Sequence, residues 1–427
     1  TVDFTPATLS VPIVNLEKSP GQAATGRIGV NFGPANAVQD ETIRISGPVL
    51  NLNGTADFGK NGDLTVLNLP SVRMGTLNDL SFQLSRGPGG DDYLLRGHSL
   101  DGSKIGRNGS NEQPGGTQAA AQTDDTPEGR LHIDARLDRL AMRSGVAIAP
   151  FNLNMGLVGN RPSQLDLSGN VVLGTKSAPI AANLESSAAG RKVTLTSGDA
   201  GLLARGVFAF ESMRGGQLSA TVNLPGQATD APNPGSTAPD FTGLMTIKGF
   251  QLLNQPLLSR MFAAGSLTGI GDLMGGDGIS LEEWNFPFSS KNNVLSVNGA
   301  RAVGRAIGAS ADGYIDRPHG TLALKGSLIP AYELNSVLSN IPLLGDILAS
   351  KQGEGIFGVT YSATGNMEQP NISTNPLSML TPGILRRIFQ GHIPTKNDAP
   401  TNNPTPRPDT SPAQSQAEAT APKAKAN

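Results

Sequence analysis

The sequence predicts a mainly β protein, and three observations carry that prediction. The 427 residues include 53 Gly and 31 Pro but only 4% aromatics, a composition that suits many short strands separated by turns. Apolar and polar residues alternate in short stretches such as Leu64-Thr65-Val66, Leu131 to Leu137 and Lys192 to Thr196; a period of two gives each strand one apolar face and one wet face. Many of these stretches open on Gly-x-Leu, at Gly62, Gly75, Gly129, Gly216 and Gly320, where Gly supplies a turn and Leu begins the buried parity. Their spacing is irregular, so a long antiparallel meander with variable loops is expected, not a fixed-period solenoid.

Helical signals come late. Leu257, Leu258, Met261 and Phe262 form one apolar stripe, and Ile270, Leu273 and Met274 another. A third runs from Leu334 to Leu348 across Pro342, which must break or kink it, and a fourth from Leu377 to Phe389. Residues 106–128 and 225–239 are polar and rich in Gly, Asn, Gln, Ala or Pro and are expected to be disordered loops. From residue 391 on, the chain is a tail too poor in large apolar side chains to offset its ordering entropy. The segments between are 1–105 and 129–224, both β, and 240–390, strands with short helices.

A net charge of -2 offers no global field to attract nucleic acid or an anionic membrane. The absence of Cys excludes thiol chemistry, thiolate metal sites and disulfides. No run of 18 apolar residues occurs, so no helical span is expected. Candidate chemical motifs are weak. The four His (His98, His132, His319, His392) lie too far apart for a metal site. Asp91-Asp92 and Asp124-Asp125 sit in Gly- or Pro-rich loops without the shaped cleft that acid–base work needs. Gly265 to Gly271 lacks the Gly-Lys-Ser/Thr ending of a phosphate loop, Asn53-Gly54-Thr55 fits a glycosylation sequon by chance, and no nucleophile–base pairing is visible. No enzyme, metal or cofactor is therefore expected. The sole Trp, Trp284, is expected to cover the end of the sheet, with membrane anchoring as its alternative, and Tyr332 and Tyr361 to be boundary residues with wet hydroxyls.

A sheet with one apolar face must cover it. Almost no amphipathic helix precedes residue 256, so either the sheet covers itself as a sandwich or barrel, or it curves into a groove filled by an apolar ligand. The residues alone favour the sandwich.

A resemblance reverses that preference. Gly198-Asp199-Ala200-Gly201, Met213-Arg214-Gly215-Gly216, Ala264 to Ile270, Gly278-Ile279-Ser280-Leu281, Leu328 to Asn335, Ile341 to Gly345, Gly353 to Tyr361 and Asn375 to Gly383 occur in that order. From about residue 198 to 389 the chain thereby resembles the C-terminal region of the AsmA-like bacterial envelope proteins, the group with the TamB and YhdP branches. The resemblance implies an elongated, curved antiparallel sheet forming an apolar trough, with a few short amphipathic helices near the C-terminal end. It also implies a periplasmic conduit that moves phospholipid between inner and outer membrane, tethered by an N-terminal inner-membrane helix outside this sequence. The expected lining is the apolar parity of the strands: Leu64, Val66, Leu131, Ile133, Leu137, Val193, Leu195, Leu322 and Leu324. The expected membrane contact is Leu380, Ile384, Leu385, Ile388 and Phe389 beside Arg386 and Arg387, an interfacial helix on anionic lipid, or else a cap on the trough's end. Expected partners are acyl chains and the membrane surfaces, with no nucleic acid. The alternative is an envelope scaffold that offers a sheet edge to an outer-membrane assembly protein.

Overall fold

Among the described residues, alternating side chains and Gly turns produce 22 strands and very little helix. The computed structural model describes residues 1–11, 16–33, 38–103, 129–159, 161–187, 190–225, 240–253, 278–304, 307–330, 359–367 and 369–375. The strands of the first part are β1 (Val2–Asp3), β2 (Leu9–Val11), β3 (Leu16–Lys18), β4 (Thr25–Phe32), β5 (Val38–Ser46), β6 (Leu50–Phe58), β7 (Leu64–Met74), β8 (Asn78–Gly87) and β9 (Gly90–Asp101). The central strands are β10 (Arg130–Ala141), β11 (Ala147–Val158), β12 (Arg161–Leu173), β13 (Lys176–Ser187), β14 (Gly190–Ser197) and β15 (Met213–Leu224). The last are β16 (Phe241–Leu252), β17 (Ile279–Lys291), β18 (Val294–Gly304), β19 (Ile307–Asp316), β20 (Thr321–Pro330), β21 (Val359–Asn366) and β22 (Asn371–Asn375).

Twenty of these strands form one long, curved, open sheet, and β2 and β3 pair separately. From β4 to β9 and again from β10 to β22, every strand pairs antiparallel with its successor. One parallel pair, β9 with β10, splices the two meanders. At about 4.8 Å per strand the sheet is roughly 90 Å long, and its central strands make it about 40 Å wide.

The hairpins alternate between two sides. Tight turns such as Gly59–Asp63, Asn292–Asn293 and Arg317–Gly320 close one side. The other carries α1 (Ala200–Phe208) and a 3-10 turn (Arg143–Gly145). The Asp199 carboxylate caps α1 by accepting the Leu202 amide at 2.9 Å, and Ala209, left-handed at φ 56°, ends it. Arg143 donates to the Val207 carbonyl at the helix C-terminus, favourable against the negative end of the dipole. Leu202 and Leu203 lie on the apolar face of the sheet.

Register shifts and Gly kinks bend the strands along a line nearer this α1 side, at Leu69/Val72, Asp79/Leu80, Ile148/Phe151, Leu281/Glu283 and Gly215-Gly216 opposite Gly249. The backbones approach so closely there that a Cβ on Gly169 would stand 2.1 Å from the Pro150 carbonyl oxygen.

The helical stripes expected at 257–274, 334–348 and 377–389 lie outside the described residues, as do both expected loops from residue 106 and residue 226 onward and the C-terminal tail. The one α-helix among the described residues, α1, was not expected. With Gly at 201 and 206 in nine residues, it reads locally as turn.

Candidate functional site

The candidate site is the apolar face, and cross-strand register assembles it. One residue from each strand from β7 to β17 lines up into a single row: Leu69, Phe82, Leu95, Ala135, Leu153, Leu167, Ala182, Leu195, Ala220, Met245 and Phe286. Every member is apolar. On the opposite face of the same strands runs Asp134, Asn154, Asp166, Asn183, Thr194 and Thr221. A shallow depression of about 440 Å³ crosses that polar face between this row and the next, Arg136, Asn152, Ser168 and Ala181.

Three buried clusters occupy the apolar face and share members. Leu52 and Met74 join the first cluster, around Ala24, Ile45 and Leu50, to the large one. Leu195 and Leu203 join the large one to the cluster around Ile247, Phe250 and Leu281. Burial is uneven across the width. Toward the α1 side, Leu137, Val171, Ile247 and Phe250 are 1–4% exposed, whereas Ile133, Leu153, Leu165, Leu195, Met245 and Phe286, in the middle of the sheet and toward the tight turns, are only half-buried. Among the described residues, α1 is the only helix packed over this face, so its open half keeps no second layer of secondary structure.

Of the expected lining residues, Leu131, Ile133 and Leu137 share the apolar face of β10, with Leu137 fully buried. Val193 and Leu195 share that of β14, and Leu322 and Leu324 that of β20. Leu64 packs against the large cluster. Val66 does not belong with them: a shift between Asp57 and Phe58 pairs Asp57 with Val66 and Phe58 with Leu64, leaving Thr65 as the extra residue and putting Val66 on the polar face opposite Asp57 and Ser85. The expected membrane-contact residues, Leu380 to Phe389, lie outside the described residues.

Trp284 is also corrected. It sits mid-strand on the apolar face, not at the sheet's end, between Phe250 and Phe286. The Tyr361 hydroxyl is not wet: it donates to the Ser310 carbonyl at 2.9 Å, and burial, with the Asp312 charge adding, pushes its pKa up to about 12. Burial likewise raises Tyr93, whose hydroxyl donates to Asp91.

Asp124, Asp125 and His392 lie outside the described residues, and the other polar candidates resolve into ion pairs and hydrogen bonds. Asp91 pairs with Arg86 and Asp92 with Arg130. His98 meets Asp138, His132 meets Asn154 and Asp92, and His319 meets Asp316. Among the described residues, no three His, Asp or Glu converge on a possible metal site, and no helix is long and apolar enough to cross a membrane.

No family model, curated protein or solved structure matches the chain.

Proposed function

We propose that the chain is a lipid conduit of the bacterial envelope, carrying phospholipid acyl chains along its apolar face between inner and outer membrane. The observation that carries this reading is the unbroken apolar row from Leu69 to Phe286, buried from Leu69 to Ala135 and half-buried at Leu153, Leu167, Leu195, Ala220, Met245 and Phe286. Each acyl CH₂ costs about 0.8 kcal/mol to expose to water, and a lining with no polar interruption removes that cost equally at every step. Aliphatic contacts are non-directional, so none forms a deep trap. The resemblance to the AsmA-like proteins adds the periplasmic setting and the tether.

The test is native mass spectrometry of the chain purified from a bacterial envelope. The expected result is bound phospholipid, displaced when half-buried Leu153 and Leu195 are replaced by Asp. A lipid-free protein would overturn the reading.

A second reading, a scaffold that pairs its edge with another β protein, is favoured by one observation. β4 is an outer strand, paired on its far side only at Thr25 and Gly26, and it leaves Ile28 and Phe32 43% and 64% exposed. A scaffold would come away without lipid and would lose its partner on Ile28→Lys.

A further inference from the structure

Rings are scarce in this chain, yet five of them form one continuous file on the apolar face. Phe250 meets Trp284 at 6.3 Å between centroids, Trp284 meets Phe286 at 5.6 Å, Phe286 meets Phe288 at 6.1 Å, and Phe288 meets Phe241 edge-on at 6.1 Å. The file follows β16 and β17, so it runs across the groove's width, at right angles to the aliphatic row. Its inner end is sealed, with Phe250 2% exposed among Ile247, Leu281 and Ile279. Its outer part is half-buried, and Phe288 lies over Gly243, where a Cβ would stand 2.4 Å from its ring.

The outer end is polar and carries one cation, Arg317. Ser290 continues the parity of Phe286 and Phe288, and the exposed Arg317 reaches from the next turn but one to donate to Ser290 Oγ at 3.4 Å. Lys291, one residue on, is exposed and belongs to the opposite face. The acids nearby are engaged: Asp240 accepts the Asn292 amide, and Asp316 holds His319. From Ser290 to Trp284 is six strand residues, about 20 Å, against roughly 15 Å of hydrocarbon per leaflet of a bilayer.

We infer that this file is a dwell point of the groove, holding one acyl chain along β17 with its methyl end toward Trp284 and its anionic head at Arg317. The inference rests on the conduit reading and specifies where and in which direction a chain lies. The ligand chemistry is an acyl chain with a single anionic head, shared by an anionic phospholipid and a free fatty acid. Stiff aromatic faces hold a chain with little loss of side-chain entropy, whereas the aliphatic stretches on either side let it slide.

Trp284 is the only Trp, so its fluorescence reports on this point alone. The full chain is mixed with phosphatidylglycerol vesicles whose chains carry bromine either near the glycerol or near the methyl end, and in parallel with fatty acid brominated at the same two places. Bound lipid is counted separately by native mass spectrometry. Methyl-end bromine is expected to quench about twofold or more over glycerol-end bromine. Arg317→Gln is expected to raise the concentration for half-quenching about threefold for anionic phospholipid while leaving neutral phosphatidylcholine unchanged. Quenching by phospholipid alone, or by fatty acid alone, identifies the source of the head. Lipid bound with Trp284 unquenched, or quenched better by glycerol-end bromine, overturns the dwell point and leaves the conduit standing. No lipid bound overturns both.

Discussion

The two long sides of the sheet are built from the same strands and behave as different materials. On the α1 side, register shifts interrupt the strands, α1 packs on the apolar face, and side chains such as Val171 and Phe250 reach 1–2% exposure. On the tight-turn side many apolar residues, Ile133 and Met245 among them, stop at half-burial, although Leu84, Leu224 and Val297 are buried there too. The difference teaches that stability and binding are separated across the width: one side is a core in the ordinary sense, and the other is a surface whose apolar area awaits an occupant.

Substitutions on the two sides should therefore part company. The largest effect is expected from Phe151→Ala on the closed side, about 3–5 kcal/mol from lost transfer energy and an unfilled cavity, read as a lower urea midpoint with bound lipid unaltered below the transition. Next comes Tyr361. Its phenol titrates higher folded than unfolded, so the folded state binds this proton more tightly. The resulting stability is full below about pH 10 and is lost as pH rises toward 12, an effect of up to roughly 3 kcal/mol. Tyr361→Phe should abolish that slope in urea titrations across the window, and a slope that survives the substitution would assign it elsewhere. Leu195→Ala, in the half-buried middle row, should cost less, about 1–2 kcal/mol, because its side chain is only partly buried, yet it should lower the lipid count where Phe151→Ala does not. Equal lipid loss from both would dissolve the distinction between the sides. Asp199→Ala should remove about 1 kcal/mol with the α1 cap, measurable as faster amide exchange at Leu202. The smallest effect, at most about 0.5 kcal/mol, is expected from Asp79→Asn at the exposed Arg73 pair.

How much of this was legible in the sequence follows from the range of each interaction. Period-two alternation is local, so the shared faces of Leu131, Ile133 and Leu137, and of Val193 and Leu195, could be read directly. The Gly-x-Leu openings hold at Leu64, Leu131 and Leu322, whose side chains begin the apolar parity, whereas at Leu218 the motif lies inside β15, which starts at Met213. They fail at Leu77, which stays 44% exposed in its turn while β8 begins its buried parity at Leu80. Val66 was misplaced because one extra residue, Thr65, inverts parity, and nothing local distinguishes a bulge from a regular strand. Asp199 followed by Leu202 and Leu203 was an available signal for α1, masked by two glycines. Trp284, Phe286 and Phe288 alternate visibly in the sequence, but Phe241 and Phe250 join them only through the pairing of β16 with β17. The unbroken row from Leu69 to Phe286 is likewise a property of register between strands, and the parallel splice of β9 to β10 joins residues 91–101 to 131–141 across a segment that carries no pairing signal.

That splice has a consequence for how such a molecule sets its dimensions. Within each meander a further hairpin adds about 10 Å of length and leaves the cross-section untouched, because width depends only on how many residues each strand contains. A parallel junction lets one such series begin where another stops without reversing which face is greasy. Reach and bore are thus independent quantities, the first counted in hairpins and the second in residues per strand, and either can change without redesigning the other.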